Sequence, residues 1–187
     1  MHWMMRHVRS LGVSASVLLL GTLTLGTALG TTAAAAPATA VFVARATLSG
    51  REEVPPVLDT RAGGLALYQL SPDGAALEYT LVAWELTTPP VMAHIHAPAP
   101  PGQNAPVVAR LFPPNPRSSC SSASALLLRC TGRITAADLE GPLAGRPLGA
   151  LIELMAAGQT YTNVHTTRHP DGEIRGQNEP LVRVGVP

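Results

Sequence analysis

Proline and glycine cut this chain into pieces that leave room for strands and little else. Its eighteen prolines and seventeen glycines remove backbone donors and open tight turns. Between them the residues alternate. In 41–48, Phe42, Ala44, Ala46 and Leu48 take one side while Arg45 and Thr47 take the other, the period of a half-buried strand. Segments 65–70 and 76–86 flank Ser71-Pro72-Asp73-Gly74, whose residues suit a hairpin turn. Segments 91–96, 107–112, 126–131, 159–166 and 173–178 complete the strand set, and the proline- and serine-rich run 113–124 reads as a loop. Two helical pieces interrupt it. Thr135-Ala136-Ala137-Asp138 resembles a capping box, and 147–157 carries the apolar stripe Leu148, Leu151, Ile152 and Met155. Pro147 suits the first helical position there and Gly158 the residue after the end. Short strands at this spacing, with one or two short helices in a connection, predict an all-β antiparallel sandwich or Greek-key barrel.

Residues 1–36 stand apart. Arg6 and Arg9 precede an apolar stretch containing Val17-Leu18-Leu19-Leu20, and an alanine-rich zone follows. That is the layout of a secretory signal peptide, here expected to be cleaved. The alternative, an uncleaved anchor, is opposed by the glycines and threonines that break the apolar run. The expected organisation is a leader over 1–36, one β-sandwich domain over 41–179 and a tail over 180–187. The expected location is secreted, periplasmic or extracellular, with no stable membrane span after cleavage. Every basic residue is arginine. Removing Arg6 and Arg9 from the thirteen leaves eleven against twelve acids, a net charge of −1. That balance leaves no basic surface for nucleic acid.

Export bears on the two cysteines. An even count in an oxidising compartment argues that Cys120 and Cys130 form a disulfide. The alternative is metal ligation, but their spacing matches no common zinc pattern.

The leader also takes His2 and His7, so four of the six histidines remain: His94, His96, His165 and His169. In a strand, residues i and i+2 share a face. His94 and His96 therefore project together, with Ala93 and Ile95 turned into the core. Tyr161, Asn163 and His165 likewise share a face, from which His165 would reach the first pair. Three convergent imidazoles suit copper or zinc, whose bonds to nitrogen are about 2.0–2.1 Å long. His169, in the turn before Asp171-Gly172, is the weaker fourth candidate. The competing reading is structural: buried histidines bridging backbone carbonyls, with Asn163 or Thr166 completing the network. A third, His165 as a general base, has no serine or cysteine nucleophile to act on, so no catalytic residue is assigned.

Four stretches in order carry a resemblance. They are 48–56 (LSGREEVPP), 93–96 (AHIH), 158–166 (GQTYTNVHT) and 170–177 (PDGEIRGQ). Together the chain resembles, over about 42–178, the CHRD domain family, named from chordin and found in many exported bacterial proteins. The resemblance implies an immunoglobulin-like or superoxide-dismutase-like β-sandwich and implies no single activity. The His-x-His strand is also similar to part of the copper site of copper-zinc superoxide dismutases. That enzyme has further histidines, including one that bridges two metals, and an aspartate on zinc, whereas here only His169 is left as a fourth candidate.

Three functions follow as expectations. The first is an exported, non-enzymatic binding module with a copper or zinc site at His94, His96 and His165. The second is an extracellular protein-interaction module with structural histidines; in chordin the resembling domains belong to a growth-factor antagonist. The third is a dismutase-like copper enzyme. Glu173 and Arg175 are expected to share a strand face as a local ion pair, unless a carboxylate fixes the tautomer of a ligating histidine.

Overall fold

A computed structural model describes residues 41–113, 116–124 and 126–184. The leader expected over 1–36 lies outside them. The strands are β1 (Val41–Ser49), β2 (Gly63–Leu70), β3 (Leu77–Trp84), β4 (Pro90–His96), β5 (Val107–Phe112), β6 (Ser119–Ser124), β7 (Leu127–Ile134), β8 (Tyr161–Thr166), β9 (Ile174–Gln177) and β10 (Glu179–Val184). Every pairing is antiparallel.

The strands form one continuous sheet in the order β5-β4-β8-β9-β1-β2-β3-β7-β6, with β10 alongside β1. The all-β antiparallel expectation is borne out, while the hydrogen bonding does not establish its immunoglobulin- or dismutase-like Greek-key form. The sheet curls until it is nearly barrel-shaped. The Tyr79 hydroxyl on β3 donates to the Leu111 carbonyl on β5 across 3.0 Å. The Tyr68 hydroxyl on β2 meets Thr162 Oγ1 on β8 at 2.6 Å. Alternation tells which face of a strand is buried, but it carries no information on how sheet edges join.

Residues on both sides of Asn178 pair with β1, and 174–177 pair along their other edge with β8. Asn178 is fully buried between them. Its N–H reaches the Thr160 carbonyl at 2.9 Å, and its side-chain amide holds Thr160 Oγ1 at 2.9 Å and Thr162 Oγ1 at 2.7 Å. These bonds tie the segment to the start of β8, where the β8–β9 pairing ends at Tyr161↔Gln177. Gly176 permits the close approach of β9 to β1, because a Cβ there would collide with the Thr47 carbonyl. The sequence reads as a tail from 180, yet β10 runs to Val184 along β1. Pro180 masks it: it breaks the strand pattern and falls beside a register shift.

The core is apolar and contiguous. It draws Phe42, Leu48, Tyr68, Leu81, Ile95, Leu111 and Ile174 from the strands and Leu151, Ile152 and Met155 from the helix α1 (Leu148–Ala156). Truncating a fully buried leucine such as Leu81 to alanine would cost about 2–5 kcal/mol. The helix falls where its stripe places it, with Pro147 as N-cap rather than first residue. Gly158, at φ 69°, ends it in the left-handed conformation. The capping-box segment forms a 3-10 turn, Ala136–Asp138, in which the Asp138 carboxylate accepts from the Thr135 N–H and hydroxyl.

Part of the serine-rich segment read as loop is strand β6. It puts Cys120 directly opposite Cys130 on β7, and the two are disulfide-bonded. Among the described residues no helix is long and apolar enough to cross a membrane.

Candidate metal centre

His94 and His96 project from one face of β4 while Ala93 and Ile95, fully buried, face the core. Strand β8 lies beside them, with His94 opposite Asn163 and His96 opposite Tyr161. The site is thus on the outer face of the β4-β8-β9 part of the sheet, backed by the core. Yet His94, His96 and His165 are only 6%, 8% and 7% exposed, because two loops roof them. Residues 97–106, rich in proline, cover one side and the turn 167–172 covers the other. All six residues of β8 are consequently buried, and its alternation no longer marks an inside and an outside.

One candidate ligand atom from each of the three histidines lies within 4.8 Å of the other two. His94 Nδ1 is 3.3 Å from His165 Nε2. Burial pushes all three imidazoles below the usual histidine range. His94, which also feels His165, His96 and Arg110, goes down to about 3. They are therefore neutral near pH 7, the state in which imidazole binds a metal.

Backbone carbonyls fix two tautomers. His96 Nδ1–H donates to the Ala105 carbonyl at 2.8 Å, and His165 Nδ1–H to the Pro170 carbonyl at 2.9 Å. A carbonyl only accepts, so both protons sit on Nδ1 and both Nε2 atoms present lone pairs. A ligating histidine is normally oriented in this way. The carbonyls do what the alternative reading gave to a carboxylate. Both Nε2 atoms face Asn163 Oδ1, at 3.0 Å from His96 and 3.1 Å from His165. Neutral imidazole lone pairs and an amide oxygen cannot hydrogen-bond one another. Such a cluster either coordinates a cation or requires the Asn163 amide to turn over and donate N–H to both rings.

A stack supports His96 from behind. The Tyr161 ring lies 4.6 Å from it, within 4° of parallel, and the Arg175 guanidinium sits 3.4 Å from the centre of Tyr161 on the other side. Arg175, only 2% exposed, donates to the Gln103 carbonyl at 2.7 Å and to Asn104 Oδ1 at 2.9 Å. Asn104 in turn donates to the Val54 carbonyl at 2.9 Å. Arg175 thereby holds the loop whose Ala105 carbonyl orients His96.

The other expectations divide. His169 stands away from the triad, its Nε2 3.7 Å from Asp59 Oδ1. Glu173 and Arg175 are not an ion pair. Glu173 is fully buried and accepts from Thr60 Oγ1 at 2.6 Å, Thr166 Oγ1 at 2.7 Å, the Thr87 N–H at 2.9 Å and Thr87 Oγ1 at 3.0 Å. The Thr166 hydroxyl is therefore committed to Glu173, and it accepts from the His169 N–H and not from the triad imidazoles. The parts that reading the sequence missed are Arg175 and the roofing carbonyls. The one available signal was that 170–177 belongs to the same motif set as the histidines.

A family model for the CHRD domain matches residues 44–178. No match was found among curated proteins or among solved structures.

Proposed function

We propose that this chain, which belongs to the CHRD domain family, is an exported, non-enzymatic module that binds a divalent transition metal, copper or zinc, through His94, His96 and His165. The observation that carries the reading is the buried meeting of lone pairs. Two imidazoles locked by carbonyls at Nδ1 present Nε2 to an amide oxygen, and a cation satisfies all of these atoms at once. Burial keeps the rings neutral, and the sheet beneath fixes their spacing. Export is supported by the leader pattern in 1–36 and by the Cys120–Cys130 disulfide.

Calorimetric titration of untagged protein with Zn²⁺ and Cu²⁺ tests the reading. One saturable site per chain is expected. His96→Ala should remove most of the binding and His169→Ala little, since His169 lies against Asp59. An absence of saturable binding, or wild-type affinity in His96→Ala, would leave the second reading. That reading has its own supporting feature, the turned-over Asn163 amide donating to both rings, and it predicts a structural network without metal.

A further inference from the structure

We propose that Asn163 is the fourth ligand of this centre. Its Oδ1 completes a three-imidazole, one-amide set, so that the bound ion has no open position. The inference rests on the metal-binding reading above.

Asn163 occupies the middle of the site. On β8 it lies two residues from His165 and shares its face. It stands directly opposite His94 on β4 and directly opposite Arg175 on β9. Its side chain cannot easily leave, since the residue is only 3% exposed. At metal bonds of about 2.0–2.1 Å, two ligand atoms of a tetrahedral ion stand roughly 3.3 Å apart. The separations of Asn163 Oδ1 from His96 Nε2, 3.0 Å, and from His165 Nε2, 3.1 Å, are close to that edge. The His94 Nδ1 to His165 Nε2 separation of 3.3 Å matches it. Three of the six edges of a tetrahedron are thus in place. The remaining histidine separations are within 4.8 Å.

Electron pairs point the same way. Both Nε2 atoms present lone pairs to the Asn163 amide; with Oδ1 toward them a cation must join the group, whereas the turned-over amide would donate N–H to both. A neutral oxygen beside three imidazoles suits Zn²⁺, Co²⁺ or Cu²⁺ better than the soft Cu⁺ ion. Closed four-coordinate sites hold structure, whereas hydrolytic and redox sites keep a position for water or substrate. Asn163 would therefore set the kind of site this is, a resident ion and not a reaction centre.

The test uses Co²⁺, whose visible absorption reports coordination, in the full-length mature protein with azide as a probe ligand. The wild-type spectrum should be that of a four-coordinate ion and should not change with azide. Asn163→Ala should bind Co²⁺ about 10–100-fold more weakly, and its spectrum should change with azide as the vacated position opens. Asn163→Asp, which keeps an oxygen at the same reach, should bind at least as tightly as wild type and stay inert to azide. The wild-type azide arm needs no variant, so misfolding of Asn163→Ala would not shield the proposal. An azide-sensitive wild-type spectrum overturns it, as does wild-type affinity with azide inertness in Asn163→Ala. Tighter binding by Asn163→Ala also overturns it and makes Asn163 a cap over the imidazoles. If wild type takes up neither Co²⁺ nor Zn²⁺, the metal-binding reading falls as well, which is a separate and recognisable result.

Discussion

Arg175 lies over Tyr161, its guanidinium carbon 3.4 Å from the ring centre. A buried cation needs compensation. Here it comes from the ring and from two acceptors in the roofing loop, Gln103 O and Asn104 Oδ1. The consequence reaches the metal centre, because the next residue, Ala105, holds His96 by its carbonyl. Arg175→Lys keeps the charge but loses the planar stack and the fork. It should lower stability by roughly 2–4 kcal/mol and metal affinity by about 10–100-fold. Denaturant unfolding and calorimetric titration of the same preparation measure both. A loss of stability with unchanged affinity would show that the loop does not position His96.

Glu173 is a carboxylate buried without a cation. Burial alone would raise it, but the donors of Thr60, Thr166 and Thr87 outweigh burial and hold it below its usual value of 4.5. A carboxylate of this kind contributes stability above its unfolded value, and that contribution is lost as pH falls through the lower folded value. Glu173→Gln brings an NH₂ group against donors already aimed at an oxygen. Hydroxyls can rotate away, but the Thr87 backbone N–H cannot. The variant should be less stable by about 2–4 kcal/mol at pH 7, and the gap should narrow below pH 4.5. Unfolding midpoints at pH 7 and pH 3.5 would test it; a gap that stays constant would mean the carboxylate charge contributes nothing.

What the sequence made legible follows from period two. His94 and His96 share a face because they are two apart, and the same rule put Asn163 beside His165. The helix and the Cys120–Cys130 pair were equally local. The closure of the sheet was not, because it depends on contacts between residues far apart in the chain, Tyr79 with Leu111 and Tyr68 with Thr162. Arg175 was misread for a related reason. On a strand with one solvated face, an arginine next to Ile174 points to water. Here both faces of β9 are covered, and Ile174, Arg175 and Gly176 are all buried. Loops supply that cover, and alternation within a strand says nothing about what folds over it.

The disulfide links neighbouring strands of a hairpin at a separation of ten residues. It limits the unfolded chain more than it adds contacts to the folded one. In the chain-entropy description a loop of this size gives about 3 kcal/mol. The Cys120→Ser, Cys130→Ser double variant should lose close to that amount while keeping its metal stoichiometry, since the pair joins β6 to β7 and supplies none of the three imidazoles. Thiol titration of denatured, unreduced wild type should find no free thiol. Two thiols per chain in oxidatively folded protein would contradict the pairing.

Glu53 gives the sharpest pH dependence. It is 6% exposed, and its Oε1 has no hydrogen-bond partner. Burial raises its carboxyl from 4.5 to about 7, against the opposing pull of Arg175 and the Val54 backbone. The native state therefore retains a proton that the unfolded chain has already released between those two values. The state that binds more protons loses ground as pH rises, so Glu53 lowers stability progressively from pH 4.5 to about 7, by roughly 3 kcal/mol in all. The three buried histidines slope the other way below 6.5, but they do so in wild type and variant alike and cancel in the difference. Glu53→Gln replaces the protonated acid with a neutral group of the same shape. It should match wild type within about 1 kcal/mol at pH 5 and exceed it by about 3 kcal/mol at pH 8. Urea unfolding of both proteins at the two pH values gives the four numbers required. Equal differences at pH 5 and pH 8 would mean that Glu53 is ionised in the fold across the whole range, with Arg175 close enough to stabilise its charge.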